Sequence, residues 1–258
     1  MDRVKSADGC TIAYDKVGAG PAVVLVTGGS VDRTSNAGLA AELASDFTVY
    51  NYDRRGRGDS SDMPEYEVQR EVEDIAAVLK AAGGSAHLYG TSSGAALAME
   101  AAASGLPILK LALWEPPYIL PDRPKPPADT PKIFKDLVDA GRRDEAVEFF
   151  MAKVVGLPPE FIEGAKQSPF WQSQVKIAHT LTYDAQVMAG YNIPTERAKA
   201  VKVPTIIIDG DASFDFMRET ADALAELIPN AQRRRLPDQN HAVDSAVLAP
   251  VLKEFFTG

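Results

Sequence analysis

The chain is 258 residues long and 45% hydrophobic, with 27 basic residues against 36 acidic ones and a formal net charge of −9. That apolar content suffices for one domain of the larger α/β kind with an inserted subdomain. The acidic balance leaves no basic patch to release counterions, which argues against nucleic acid or an anionic membrane as partner and leaves the chemistry open.

The N-terminal stretch MDRVKSADGCTIAYDKVG lacks the apolar core of a signal peptide, and no apolar run approaches the length of a membrane span. The single cysteine, Cys10, can form no intrachain disulfide. A soluble cytoplasmic protein is the expectation. Strands are expected over 11–17, 22–27 and 47–52, the second built on the run AVVLV, which suits a strand buried on both faces of a mostly parallel sheet. Val68, Val72, Ile75, Val78 and Leu79 then recur at helical spacing over 66–82, and Gly83-Gly84 closes that helix. Strands at 86–89 and 109–114 enclose GAALAMEAAASG, a helix of small residues.

From residue 116 the texture changes. PPYILPDRPKPPADTP is too rich in proline for a helix or an inner strand. Helices are expected around 131–140, 143–155 and 170–188, with no strand among them. Strands return at 205–209 and 232–236, before a C-terminal helix. The organisation expected is a core of residues 1–115 and 200–258 with an all-helical lid, 116–199, inserted between two strands.

Three motifs carry chemistry. Gly90-Thr91-Ser92-Ser93-Gly94 follows a strand and opens a helix. A serine on such a sharp turn exposes its hydroxyl, flanking glycines let backbone pass closely, and the helix N-terminus favours developing negative charge. His241 lies in LPDQNH, between the last strand and the last helix, and follows the serine in chain order. A nucleophilic serine needs a base near neutral pH, usually histidine. The other two histidines fall elsewhere, His87 in a strand run and His179 in the lid. Third, VTGGS ends the strand at 22–27, where the amide of Gly29, paired with that of Ser93, can face an oxyanion. A plain strand-ending turn is an equal reading of that segment.

GTSSG, VTGGS, the late His241 and DRRGRGDS at 53–60 together resemble the α/β-hydrolase superfamily. The resemblance implies a mostly parallel sheet of about eight strands flanked by helices, with a helical cap after the sixth strand. It makes Ser92 the nucleophile, His241 the base, and Gly29 and Ser93 the oxyanion hole, with no cofactor or metal. DRRGRGDS resembles that family's DxRGxGxS loop, whose role there is mainly structural.

Two departures stand out. Thr27-Gly28 replaces the His-Gly of most relatives, and Ser213 stands where the family's acid is expected after the seventh strand. The acid fixes the histidine tautomer, and neutralising it costs on the order of 10⁴ in rate in a serine protease. Glu115, at the end of the sixth strand, is the leading replacement. Asp211 is the alternative, followed by Asp215 and Asp209. In the lid, Trp171 is a candidate substrate contact, and His179 and Asp184 are candidates for holding a substrate oxygen; the aromatic residues there equally suit the lid's own core.

The function expected is hydrolysis of a small or medium ester, thioester, lactone or related acyl compound through a serine acyl-enzyme. Lyase or other cofactor-free carbonyl chemistry stays open because the expected acid is missing and Thr27 replaces a histidine, and separately the chain can be a degenerate hydrolase serving as ligand receptor. The partner expected is a small-molecule substrate.

Overall fold

The computed structural model describes all of residues 1–258. Eight strands form one sheet: β1 (Asp2–Lys5), β2 (Thr11–Val17), β3 (Ala22–Val26), β4 (Thr48–Tyr52), β5 (Ala86–Thr91), β6 (Ile108–Trp114), β7 (Thr205–Gly210) and β8 (Ala231–Leu236). Their order is β1-β2-β4-β3-β5-β6-β7-β8. The β1–β2 and β2–β4 pairs are antiparallel and the remaining neighbours are parallel.

The apolar runs divide their side chains between two faces, as the period of two demands. In β3, Val24 and Val26 enter one core while Val23 and Leu25 enter the other. Leu111 and Leu113 of β6 oppose Ala112 and Trp114 in the same way. On the first face lie α2 (Val68–Ala81), α3 (Ser93–Ala103) and α10 (Asp215–Leu227); on the second lie α1 (Ala37–Leu43) and α11 (Ser245–Thr257). β1 was not expected from the sequence. Its residues DRVK are largely exposed on the sheet edge and show no apolar alternation.

Between β6 and β7 run α4 (Thr130–Asp139), α5 (Arg143–Phe149), α6 (Pro159–Lys166), α7 (Pro169–Lys176), α8 (Leu181–Val187) and α9 (Thr195–Ala200). Phe134, Val147, Trp171 and Leu181 from this insertion meet in a third, separate core. Ala198 of α9 instead joins the main core, so the chain has rejoined the body of the protein before β7 begins. Two long helices expected here are broken. The one at 143–155 widens into a π-helical run over Phe150–Val155, ended by Gly156 in the left-handed region. The one at 170–188 turns at Ala178–Thr180, where Thr180 Oγ1 donates to the Ile177 carbonyl at 2.8 Å.

The reversal of strand order falls between β3 and β5, the neighbours from which the sheet grows in opposite directions. Ligands of open α/β sheets bind at the carboxyl ends of the strands at such a point. The VTGGS loop and the GTSSG turn both start there.

Candidate active site

Ser92 stands between β5 and α3 at φ 55° and ψ −128°, a left-handed conformation that L-residues rarely hold. Its N–H donates to the Trp114 carbonyl at 2.9 Å, and the glycines around it are there for space. A Cβ on Gly90 would lie 2.7 Å from Ala95 Cα, and one on Gly94 would lie 2.7 Å from the Val26 carbonyl oxygen. The loop after β3 passes equally close, since a Cβ on Gly28 would meet Ser92 Cβ at 3.1 Å. Gly29 is the next residue of that loop. It and Ser93 therefore flank the serine, where the sequence placed the oxyanion-binding amides.

Glu115, directly after β6, is likewise a non-glycine residue in the left-handed region, at φ 43°. Its side chain is fully buried. Oε1 accepts from the Gly210 N–H at 2.9 Å, and Oε2 lies 2.7 Å from His241 Nδ1 and accepts from the Ser213 hydroxyl at 2.9 Å. With Nδ1 so engaged, Nε2 is the ring nitrogen that remains. The His241 carbonyl accepts from Trp114 Nε1 at 3.1 Å, which holds the loop after β8 against the end of β6.

The other carboxylates considered for that place are engaged elsewhere. Asp209 pairs with Arg233 and Arg235, Asp211 accepts from the Asp238 N–H at 2.6 Å, and Asp215 pairs with Arg218. Thr27, in place of the family's histidine, is buried with its hydroxyl unpartnered.

Ser92 and His241 open into one cavity of about 640 Å³ whose walls are mostly apolar, with Phe150, Met151, Val154 and Val155 of the π-helical run on the side of the insertion. Two lid candidates lie outside it, and those assignments are corrected. Trp171 is packed in the insertion's own core, its indole N–H donating to Asp144 at 2.8 Å; its neighbours Phe170 and Gln174 reach the cavity instead. His179 instead faces Asp62, with Nε2 3.3 Å from Oδ2. His87 is in the core, stacked on Phe256, and burial, aided by Lys110, pushes its imidazole down to about 4. No group of His, Cys, Asp and Glu side chains has the arrangement to hold a metal ion.

Asp184 does reach the cavity wall, and its surroundings were not legible in the sequence. Arg54 Nη1 donates to its Oδ1 and Arg57 Nη2 to its Oδ2, both at 2.8 Å, while the Ser93 hydroxyl donates to Oδ1, also at 2.8 Å. Arg54 forks onto Glu71 with two contacts of 2.6 Å, and Arg57 donates to the Gly28 carbonyl at 2.6 Å. All four charged side chains are buried. Burial alone would raise the Asp184 carboxyl, but the guanidiniums of Arg57 and Arg54 overcome it and hold the group below its ordinary range. Thus the DRRGRGDS loop supplies two cations against the GTSSG turn and the VTGGS loop. One signal was available: Glu71 and Asp74 border the apolar stripe of α2, an expensive place for carboxylates without cations to meet them.

The chain belongs to the alpha/beta hydrolase family, whose model matches residues 23–250. Its structure is similar to that of an alpha/beta hydrolase from Sphaerobacter thermophilus, with 49% sequence identity, a TM-score of 0.94, and coverage of 99% of this chain and 100% of that one. N-formylmaleamate deformylase of Pseudomonas putida is 38% identical over 131 residues, 49% of each chain. The uncharacterized hydrolase YraK of Bacillus subtilis is 34% identical over 96 residues, 36% of this chain and 35% of that one. The match thus spans half or less of these two curated relatives. No helix is long and apolar enough to cross a membrane.

Proposed function

We propose that this protein is a serine hydrolase that needs no cofactor and cleaves a small or medium ester, thioester, lactone or related acyl compound. Ser92 Oγ attacks the acyl carbonyl as its proton passes to His241 Nε2, and the Gly29 and Ser93 amides receive the oxyanion. His241 returns the proton to the leaving group. It then draws one from the water that hydrolyses the acyl-enzyme. Glu115 holds the Nδ1–H tautomer and balances the imidazolium.

The observation that carries this reading is the 2.7 Å contact between Glu115 and His241, made behind a cavity that Ser92 shares. The lyase alternative drew on the missing acid at position 213 and on Thr27, and Glu115 behind His241 answers the first of these in favour of the hydrolase reading. The helical insertion serves as a lid that selects the substrate, and the protein acts in the cytoplasm.

Intact-mass spectrometry after a fluorophosphonate probe, followed by an ester panel, tests the proposal. A single adduct is expected on the wild type and none on Ser92→Ala, with ester turnover lost in parallel. Labelling that survives in Ser92→Ala overturns it.

A further inference from the structure

The cavity has an uneven charge inventory. No lysine or arginine lines it, and Asp184 is the one carboxylate on its wall. Two cations, Arg54 and Arg57, are buried behind that wall and donate to Asp184 and Glu71. Two guanidiniums and two carboxylates leave this group formally neutral. A substrate carboxylate entering here would shed water, find no cation, and face Asp184.

Asp184 also occupies the place an anion would take. It accepts three hydrogen bonds of 2.8 Å, from Arg54, Arg57 and the Ser93 hydroxyl, beside the turn that carries the nucleophile. A Cβ on Gly29 would come within 3.2 Å of Asp184 Oδ2, so the carboxylate stands against the loop that flanks Ser92. It belongs to α8 of the insertion, whereas its cationic partners belong to the loop after β4.

From these contacts we infer that Asp184 is a specificity determinant that, together with Glu71, neutralises the two arginines beneath the active site and so restricts the cavity to uncharged, mostly apolar acyl substrates. The inference rests on the hydrolase reading and deepens it. Without the Asp184 charge, the group carries one net positive charge next to the nucleophile, and a carboxylate-bearing acyl chain gains a counter-charge.

The test compares two p-nitrophenyl esters of equal chain length, the neutral pentanoate and the singly charged glutarate monoester. In the wild type, kcat/KM is expected to favour the neutral ester by about a hundredfold or more, because a carboxylate entering the cavity sheds its water and finds no counter-charge. Asp184→Asn is expected to narrow that ratio by about tenfold, as one unpaired unit charge at short range implies, with most of the change in KM for the charged ester. The ratio cancels any damage common to both substrates. Because this variant leaves a buried arginine under-paired, the double variant Asp184→Asn/Arg57→Gln provides a second reading. It restores zero formal charge and is expected to restore the neutral preference.

A wild-type ratio near one overturns the inference, as does a ratio that Asp184→Asn leaves unchanged or one the double variant fails to restore. Binding of the same two esters to Ser92→Ala, followed by calorimetry, reads the charge preference without turnover. An inactive wild type whose Ser92→Ala form still prefers the neutral ester therefore defeats the hydrolase reading alone.

Discussion

Ser213 donates its hydroxyl proton to Glu115, 2.9 Å from Oε2. The position where relatives are expected to carry an acid thus holds a hydroxyl that bonds a carboxylate at the neighbouring strand end. Glu115→Gln is expected to lower turnover by about 10² to 10⁴ with little loss of probe access, because the amide favours the wrong histidine tautomer. Asp211→Asn, which only loosens a loop contact, should cost less than tenfold. The relocation itself is tested by Ser213→Asp, which sets two carboxylates side by side and should impair turnover. Adding Glu115→Gln to that variant should recover part of the loss. No recovery would mean that position 213 no longer reaches the imidazole.

Ser92→Ala and His241→Ala are each expected to cost several orders of magnitude in turnover with only small shifts in melting temperature. Combining them should cost little more, since a nucleophile and its base act as a unit. Losses that multiply in the double variant would show that the two side chains work independently.

The two adjacent aromatics of α7 should separate cleanly. Phe170 lines the cavity and is half exposed, so Phe170→Ala should raise KM for longer esters several-fold with little change in stability. Trp171 fills the insertion's core, and Trp171→Ala should destabilise by about 3 kcal/mol or more. A chain-length panel and thermal melts of both variants provide the check, and a reversal of the two phenotypes would contradict the packing described.

His87 gives the protein a specific acid sensitivity. Unfolded, its imidazole takes a proton near pH 6.5; folded, it stays neutral down to about 4. Between those values the unfolded chain holds more protons, so stability is complete above pH 6.5 and falls as the pH drops toward 4. The contribution is at most about 3 kcal/mol. Urea unfolding at pH 7 and pH 4.5 should show His87→Phe losing less stability on acidification than the wild type. Equal losses would remove His87 from the acid response.

Cys10 is fully buried, its thiol hydrogen-bonded to the Ser61 carbonyl, and burial raises its pKa. A thiol-exchange reagent should therefore titrate no thiol in the native protein and one after denaturation, and reductant should not alter activity. Rapid native labelling accompanied by inactivation would place Cys10 near the chemistry instead.

The sheet was legible because runs such as AVVLV in β3 are apolar on both faces, a pattern that few other environments demand. β1 was not, because an exposed edge strand needs no such pattern. That Ser92, His241 and Glu115 meet at one edge of the sheet could be anticipated because each follows the end of a strand, and strand ends gather there. The contacts of Asp184 could not. Its partners lie 130 and 127 positions away, each with a self-sufficient local reading as lid helix or structural loop. Likewise, no glycine or proline marks the break at Ala178–Thr180, and only tertiary packing sets it.

The pairing of Asp184 with Arg54 and Arg57 also bears on how this protein can be re-engineered. A helical insertion joined to the sheet only at its two chain ends would be a natural module to exchange for another. Here the exchange would leave Arg54 and Arg57 with Glu71 as their one remaining carboxylate, and leaving one such buried charge uncompensated typically costs about 3–5 kcal/mol. A chimera that keeps this sheet must therefore import an acid at the height of Asp184, or replace Arg54, Arg57 and Glu71 along with the graft. The unit of exchange therefore includes the arginine cluster beneath the insertion, which sets a practical boundary for recombination that chain connectivity alone would put elsewhere.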